Sequence, residues 1–111
     1  MIPQFSKIKK NLKIKGILPS GTSFNDVALS GESNIYSING SLEGNALSGF
    51  PTGAYIYGLL ITINPNSDKK SSWSTVQIYI PDLPSQNGIY FRTRTSNSWL
   101  KLNGTAVNPI T

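Results

Sequence analysis

The sequence predicts a single small all-β domain, and three observations support this class. A chain of 111 residues is one domain by length, large enough for a modest core. Ten glycines and seven prolines, together with many Ser, Asn and Thr residues, are typical of strands joined by turns. Several short segments alternate apolar and polar residues, as half-buried strands do. We therefore expect a small antiparallel β-sandwich or knob with short connecting turns.

Residues 1–15 form a basic N-terminal arm, which precedes a single β-rich knob domain predicted over residues 16–111. Half of the ten basic residues lie in the arm, so the remaining chain balances five basic against five acidic residues and the net charge of +5 belongs to the arm. Its alternation predicts an edge strand that lysines keep from aggregating. The alternative is an arm that contacts a partner, or a phosphate-rich surface, through its lysines. The arm residues proposed for such contact are Lys7, Lys9, Lys13 and Lys15.

The segment after the arm contains one helical turn and one short strand. Ser23 is a good helix cap, and the following residues predict a single turn with Phe24 and Val27 inward. Residues 34–38 predict a strand that ends at the turn-forming pair Asn39-Gly40.

The most β-prone run, residues 55–63, predicts the central strand of the sheet. Gly58 within it indicates a bulge or a close approach of another backbone segment. Residues 73–80 predict the next strand, which is half-buried because its apolar and polar residues alternate. We expect Val76, Ile78 and Ile80 to face inward, and Trp73, Gln77 and Tyr79 to face outward.

The last part of the chain, from Ile89 to Leu102, predicts a hairpin. Alternation in its first strand separates Ile89 and Phe91 from Tyr90, Arg92 and Arg94, and we expect the apolar set to face the core. The polar residues 96–98 would turn the chain into a second short strand that contains Trp99, which we expect to pack rather than to stack on a ligand.

The composition argues against an enzyme. The chain has no histidine and no cysteine, so the usual neutral-pH acid–base group and the thiolate ligands are missing. Its five carboxylates are scattered, and no phosphate-binding loop or dinucleotide fingerprint is present. We therefore predict no catalytic residues, no metal site and no cofactor. No apolar run approaches the length of a membrane span, so membrane insertion is not expected.

Aromatic and polar residues on the predicted outward strand faces are the candidates for ligand binding. Flat rings stack on pyranose faces, while amide and guanidinium groups satisfy hydroxyls or carboxylates. The structural alternative is that these residues belong to the core, to cross-strand pairs or to a subunit interface. Single-stranded nucleic acid is a further alternative, although the dense aromatic-basic pattern of such binders is absent. The candidates are Trp73, Gln77, Tyr79, Tyr90, Arg92 and Arg94.

Five segments of the chain carry a recognisable order of motifs: residues 18–27, residues 31–38, residues 49–60, residues 89–92 and residues 97–102. In this order they resemble the knob-type domain of bacteriophage tail fibres and pyocins. In that family a leading "LPxGTDLND" segment is followed by "GxY", "PxGA…G", a "YxR" strand and a closing Trp-containing strand. The chain has Ser23-Phe24 where the family usually has Asp-Leu, and one closing tryptophan where the family often has two.

The resemblance implies a fibre-tip knob in the virion, outside the host cell, that assembles as a homotrimer. Its expected partners are a bacterial surface glycan or protein and other virion proteins, and nucleic acid is not an expected partner. A structural adaptor that joins fibre to particle without binding a receptor is the alternative. A trimer would also bury apolar area that one small domain cannot cover alone.

Overall fold

A computed structural model describes residues 12–29, 31–40, 48–65, 73–83, 88–94 and 98–110. These residues form one six-stranded sheet and one short helix, which confirms the all-β class. The elements in chain order are β1 (Leu12–Ile17), α1 (Phe24–Ala28), β2 (Ser33–Asn39), β3 (Tyr57–Ile63), β4 (Val76–Pro81), β5 (Gly88–Thr93) and β6 (Leu100–Asn103).

Every strand of this sheet is hydrogen-bonded to its neighbours in the chain, in the order β1-β2-β3-β4-β5-β6. Four of the pairings are antiparallel, whereas β1 runs parallel to β2. The expectation of a purely antiparallel arrangement is therefore wrong at this edge. Parallel strands require a crossover connection, and the segment that contains α1 supplies it.

Helix α1 is the single turn that the sequence predicts. The Ser23 hydroxyl accepts a hydrogen bond from the Asn25 backbone N–H at 3.0 Å, as an N-cap does. Phe24, Val27 and Ala28 are buried, so the helix presents its apolar side to the sheet.

Strand β3 lies inside the sheet between β2 and β4, which confirms its predicted central place. Gly58 is needed there because a Cβ atom at this position would lie 2.4 Å from the Ile80 carbonyl oxygen. The close backbone approach expected from this glycine is thus confirmed.

One face of the sheet, which we call the covered face, lies beneath α1 and the segment of residues 48–54. Phe24 contacts the rings of Tyr79, Phe50 and Trp99 across this layer, with centroid separations of 5.1 to 6.3 Å among the four rings. The core therefore lies on the covered face. Its fully or nearly buried strand residues are Asn34, Ile38, Leu60, Thr62, Gln77, Tyr79, Pro81, Tyr90 and Arg92.

The opposite side of the sheet, which we call the open face, is mostly apolar and carries no charged side chain in the register of strands β2 to β5. Its central row crosses all six strands through residues in mutual register: Ile14, Ile35, Ile61, Ile78, Phe91 and Leu100. We call this row the apolar ladder. Its members are half-buried at the centre and strongly exposed at both ends, with 84% of Ile14 and 57% of Leu100 accessible.

The predicted orientation of two strands is wrong. Gln77 and Tyr79 were expected to face outward but are 1% and 0% exposed, whereas Ile80 is exposed. On β5, Tyr90 and Arg92 are buried on the covered face, and Phe91 belongs to the open face. The predicted alternation along β4 and β5 is confirmed, but the face that carries Gln77 and Arg92 is the covered one.

The predicted basic arm is only partly described. Residues 1–11, including Lys7 and Lys9, lie outside the described residues. The last four residues of the arm belong to β1, the edge strand of the sheet, which confirms that part of the expectation.

Candidate functional site

A hydrogen-bonded network organised by Arg92 occupies the covered face. Arg92 donates from Nε and Nη2 to Gln77 Oε1 at 2.9 and 2.7 Å, and from Nη2 to Asn25 Oδ1 at 2.7 Å. Gln77 Nε2 donates to the Phe24 carbonyl oxygen at 2.8 Å and to Thr62 Oγ1 at 3.1 Å. One side chain from each of β3, β4 and β5 is thereby tied to α1.

Burial affects the protonation of two groups on this face. Desolvation lowers the pKa of the Arg92 guanidinium, although this group remains charged at neutral pH. Desolvation, followed by the nearby Asp82 charge, raises the pKa of the Tyr79 phenol. Tyr79 is therefore a neutral donor, and its hydroxyl donates to the Tyr55 carbonyl oxygen. Arg92 thus connects α1 to the sheet through Asn25 and Gln77, and Tyr79 connects the sheet to Tyr55.

The segment around Gly49 passes directly over Arg92. Gly49 has a φ of +82°, and a Cβ atom there would lie 2.5 Å from Asn25 Oδ1 and 3.2 Å from Arg92 Nη2. Its carbonyl oxygen accepts a hydrogen bond from Trp99 Nε1 at 2.7 Å. Only glycine combines this backbone conformation with this close approach. The contacts of Gly49 with Asn25, Arg92 and Trp99 therefore fix the distance between this segment and the sheet.

Trp99 and Arg92 form a stacked pair at the edge of this network. The Arg92 Cζ atom lies 4.6 Å from the Trp99 ring centroid, and the indole packs against the core. The prediction that Trp99 packs within the domain is therefore confirmed. Arg92 is the cross-strand residue that the structural alternative described, because it is in register with Gln77.

A surface pocket opens next to this pair, between residues 50–52 and the start of β6. Its volume is about 330 Å³, at the lower end of the range for small-molecule sites. Three rings and three polar side chains line it, from Phe50, Thr52, Tyr90, Ser98, Trp99 and Lys101. Lys101 Nζ lies 5.6 Å from the Tyr90 ring centroid. Of the predicted ligand-binding residues, Tyr90 reaches this pocket.

Two other predicted ligand-binding residues, Trp73 and Arg94, form a separate exposed pair. The Arg94 Cζ atom lies 3.9 Å from the Trp73 ring centroid, and 64% of Trp73 is accessible. They lie beyond the ends of β4 and β5, next to the Val76–Thr93 pair. Their outward placement is confirmed, and their binding of a ligand stays a prediction.

The six predicted ligand-binding residues thus divide into three settings. Gln77, Tyr79 and Arg92 are buried, Trp73 and Arg94 form the exposed pair, and Tyr90 lines the pocket. Lys101 and Phe50 line the pocket but were not among the ligand-binding residues predicted from the sequence. The position of Lys101 two residues after Trp99 on a strand was an available signal, whereas nothing in the sequence placed Phe50 beside them.

The described arm lysines make contacts within the chain. Lys13 Nζ lies 2.7 Å and Lys15 Nζ 3.5 Å from the Glu32 carboxylate oxygens. The hydrogen bond from Lys13 is the largest cause that lowers the pKa of Glu32. Contact of Lys13 or Lys15 with a partner would compete with this ion pair and stays a prediction.

No cluster of three or more metal-ligating side chains occurs within the described ranges. In the same part of the chain, no helix has the length and apolar character needed to cross a bilayer. Comparison of the chain with protein-family models, with curated proteins and with solved structures gave no match.

Proposed function

We propose that the chain is a non-enzymatic, homotrimeric receptor-binding knob of a bacteriophage-type tail fibre, which binds a bacterial surface polysaccharide outside the host cell. The single observation that carries this proposal is the open face. An aliphatic surface on the outside of a small domain is typical of a chain that functions as an assembly. The resemblance of five ordered segments to fibre knobs supplies the fibre context.

The size of the open face supports association. Six strands about 4.8 Å apart, with about 3.3 Å between residues, give a footprint of about 500 Å². Side chains that stand out from the sheet present a larger accessible area, which approaches the roughly 800 Å² buried per partner in a standard interface. The face is therefore large enough for a stable contact.

The chemistry of the open face favours a second copy of this chain as the occupant. Most of its described strand positions carry aliphatic or aromatic side chains, and the polar exceptions, which are Ser33, Ser37, Asn39 and Thr93, are uncharged. A surface without charge is complementary to itself, and two such sheets pack about 10 Å apart through their side chains. Three copies around one axis would enclose these faces together.

Receptor binding would then occur on the other side of each subunit. The pocket beside Trp99 is formed by residues of the covered-face side, so self-association through the open face leaves it accessible. Three copies of one shallow pocket would bind a repeating polysaccharide with an avidity that a single site lacks.

The first test is the mass of the purified protein in solution. One chain is 12.1 kDa, so light scattering at micromolar concentration should give about 36 kDa, three times that value. Ile78→Lys places a charge at the centre of the apolar ladder and should yield a monomer. Val107→Lys is the matched control, because Val107 is equally aliphatic, is exposed and lies in the tail after β6. A wild-type protein of one-chain or two-chain mass would overturn the trimer.

The second test is binding of the labelled protein to a panel of bacterial cells. The wild type should bind some strains. Ile78→Lys should bind them far more weakly, because a monomer has one binding site instead of three. A variant that lacks residues 1–11 keeps β1 and should retain cell binding. If no strain is bound by the wild type while this truncation abolishes incorporation into particles, the adaptor function is favoured instead.

A further inference from the structure

The pocket beside Trp99 has a rigid aromatic wall. Trp99 is fixed by its hydrogen bond to the Gly49 carbonyl oxygen and by the stacked Arg92 guanidinium. Phe50 is half-buried and packs edge-on against Phe24 in the core, while Tyr90, which is 7% exposed, lies at the base of the pocket. Because these rings are held by the domain itself, a ligand need not pay to order them. Ring surfaces of this kind suit the C–H face of a pyranose.

The polar part of the pocket is cationic. Lys101 extends from β6 beside Tyr90, and the hydroxyls of Thr52 and Ser98 lie at the rim. None of the described residues that line the pocket is acidic. The setting of Lys101 differs from that of Lys13 and Lys15, whose charges face Glu32, since no described carboxylate lies within ion-pair distance of Lys101.

We propose that this pocket binds a carboxylate-bearing pyranose, such as a uronic acid unit of an acidic polysaccharide. The sugar ring lies against the accessible parts of Phe50 and Trp99, and its carboxylate accepts a charge-assisted hydrogen bond from Lys101 Nζ. The inference rests on the proposed receptor-binding function and specifies the chemistry of the receptor. A neutral sugar would use the same rings but would leave the ammonium group without an anionic partner.

The test compares two probes that differ in one group: methyl β-D-glucuronide and methyl β-D-glucoside. Titration of the ¹⁵N-labelled protein is followed at its two indole N–H signals, because the chain has two tryptophans. The glucuronide should shift the Trp99 signal and leave Trp73 unchanged, since Trp73 lies in the separate exposed pair. Equal affinity for the two probes, shifts confined to Trp73, or no shift with either probe would overturn the proposal.

Lys101→Gln shortens the side chain by one atom, keeps a hydrogen-bond donor and removes the charge. It should weaken glucuronide binding about fivefold, the factor that corresponds to about 1 kcal/mol for an exposed charge pair, and leave glucoside binding unchanged. Arg94→Gln is the matched control, because it removes a cation outside the pocket. If Arg94→Gln weakens glucuronide binding as much as Lys101→Gln, general electrostatic attraction explains the effect and the site is wrong.

Cell binding separates a failure of this inference from a failure of the proposed function. A protein that binds bacteria but does not respond to the glucuronide retains the receptor-binding function and excludes the acidic sugar. A protein that binds the glucuronide at Trp99 but binds no cells supports the pocket and contradicts the receptor-binding knob.

Discussion

The two faces of the sheet solve opposite problems. The covered face buries an arginine, a glutamine and a threonine, and each needs hydrogen-bond partners at fixed positions. The open face carries mostly apolar side chains, whose burial is non-directional and requires no hydrogen-bond partners. The hydrophobic core also lies on the covered face, and the proposed trimer would bury the open face as a second apolar interior. In the proposed trimer, the covered face would specify the fold of one chain and the open face would specify its association.

The largest expected effect comes from breaking the polar network of the covered face. Gln77→Leu removes the acceptor of two Arg92 N–H groups and the donor to Phe24 and Thr62. A buried guanidinium that loses the Gln77 acceptor and retains Asn25 costs about 3 kcal/mol of unfolding free energy. Guanidinium unfolding curves measure this loss, which should be the same at every protein concentration. A loss below 0.5 kcal/mol, about the range of a neutral surface substitution, would contradict the structural role of the network.

A substitution in the apolar ladder of the open face should have an effect on stability that depends on protein concentration. Ile61→Thr replaces part of an aliphatic side chain by a hydroxyl and should cost about 1.5 kcal/mol in the assembled protein. The cost should decrease on dilution, because association stabilises the folded chain by mass action. The measurement is the midpoint of thermal unfolding over a hundredfold concentration series. If the cost is independent of concentration, the open face contributes to the fold of one chain rather than to an interface.

Removing the helix cap should have a smaller effect. Ser23→Ala deletes the acceptor for the Asn25 N–H and the donor to the Ser48 carbonyl oxygen. Loss of an N-cap costs about 1 kcal/mol. Because α1 covers only one side of the sheet, chemical denaturation should show this loss while the mass of the assembly stays unchanged. A change in oligomeric state would show that the two faces are not independent.

The smallest effect is expected at the edge of the sheet, where Glu32 pairs with Lys13 and Lys15. The pKa of Glu32 is lowered in the folded chain, so its contribution is present above the unfolded pKa and is lost as the pH falls through the folded pKa. Exposed pairs of this kind contribute about 0.5 kcal/mol. Glu32→Gln should therefore cost this amount at pH 7 and nothing at pH 2, by urea unfolding. An equal cost at both pH values would show that the charge is not responsible.

The period of the strands could be predicted from the sequence, but the covered side could not. Alternation places Gln77 with Tyr79, and Val76 with Ile78, on opposite faces. The usual burial of aliphatic residues then predicts that Val76 and Ile78 face the core. This prediction is wrong because α1 lies over the face of Gln77, whose amide donates to the Phe24 carbonyl oxygen. A chain that buries its aliphatic face only by association gives the same pattern as one that buries it by folding.

The candidate site was predicted in part for a related reason. The register of Gln77 with Arg92 follows from two predicted strands of matching period. The third member, Asn25, is 67 positions from Arg92, and no local pattern connects them. The parallel pairing of β1 could have been inferred, because a helix between two strands indicates a crossover connection.

The most direct test of the account is the solvent accessibility of the open face in the assembled protein. Isoleucine δ1-methyl labelling reports this face and the core together, because Ile61 and Ile80 lie on the open face while Ile38 is buried in the core. A soluble gadolinium chelate should relax the Ile61 and Ile80 methyls several-fold more slowly in the wild type than in Ile78→Lys. The methyl of Ile110, in the exposed tail, should relax equally in both. Equal relaxation of the Ile61 and Ile80 methyls in the two proteins would contradict the burial of the open face by a second copy.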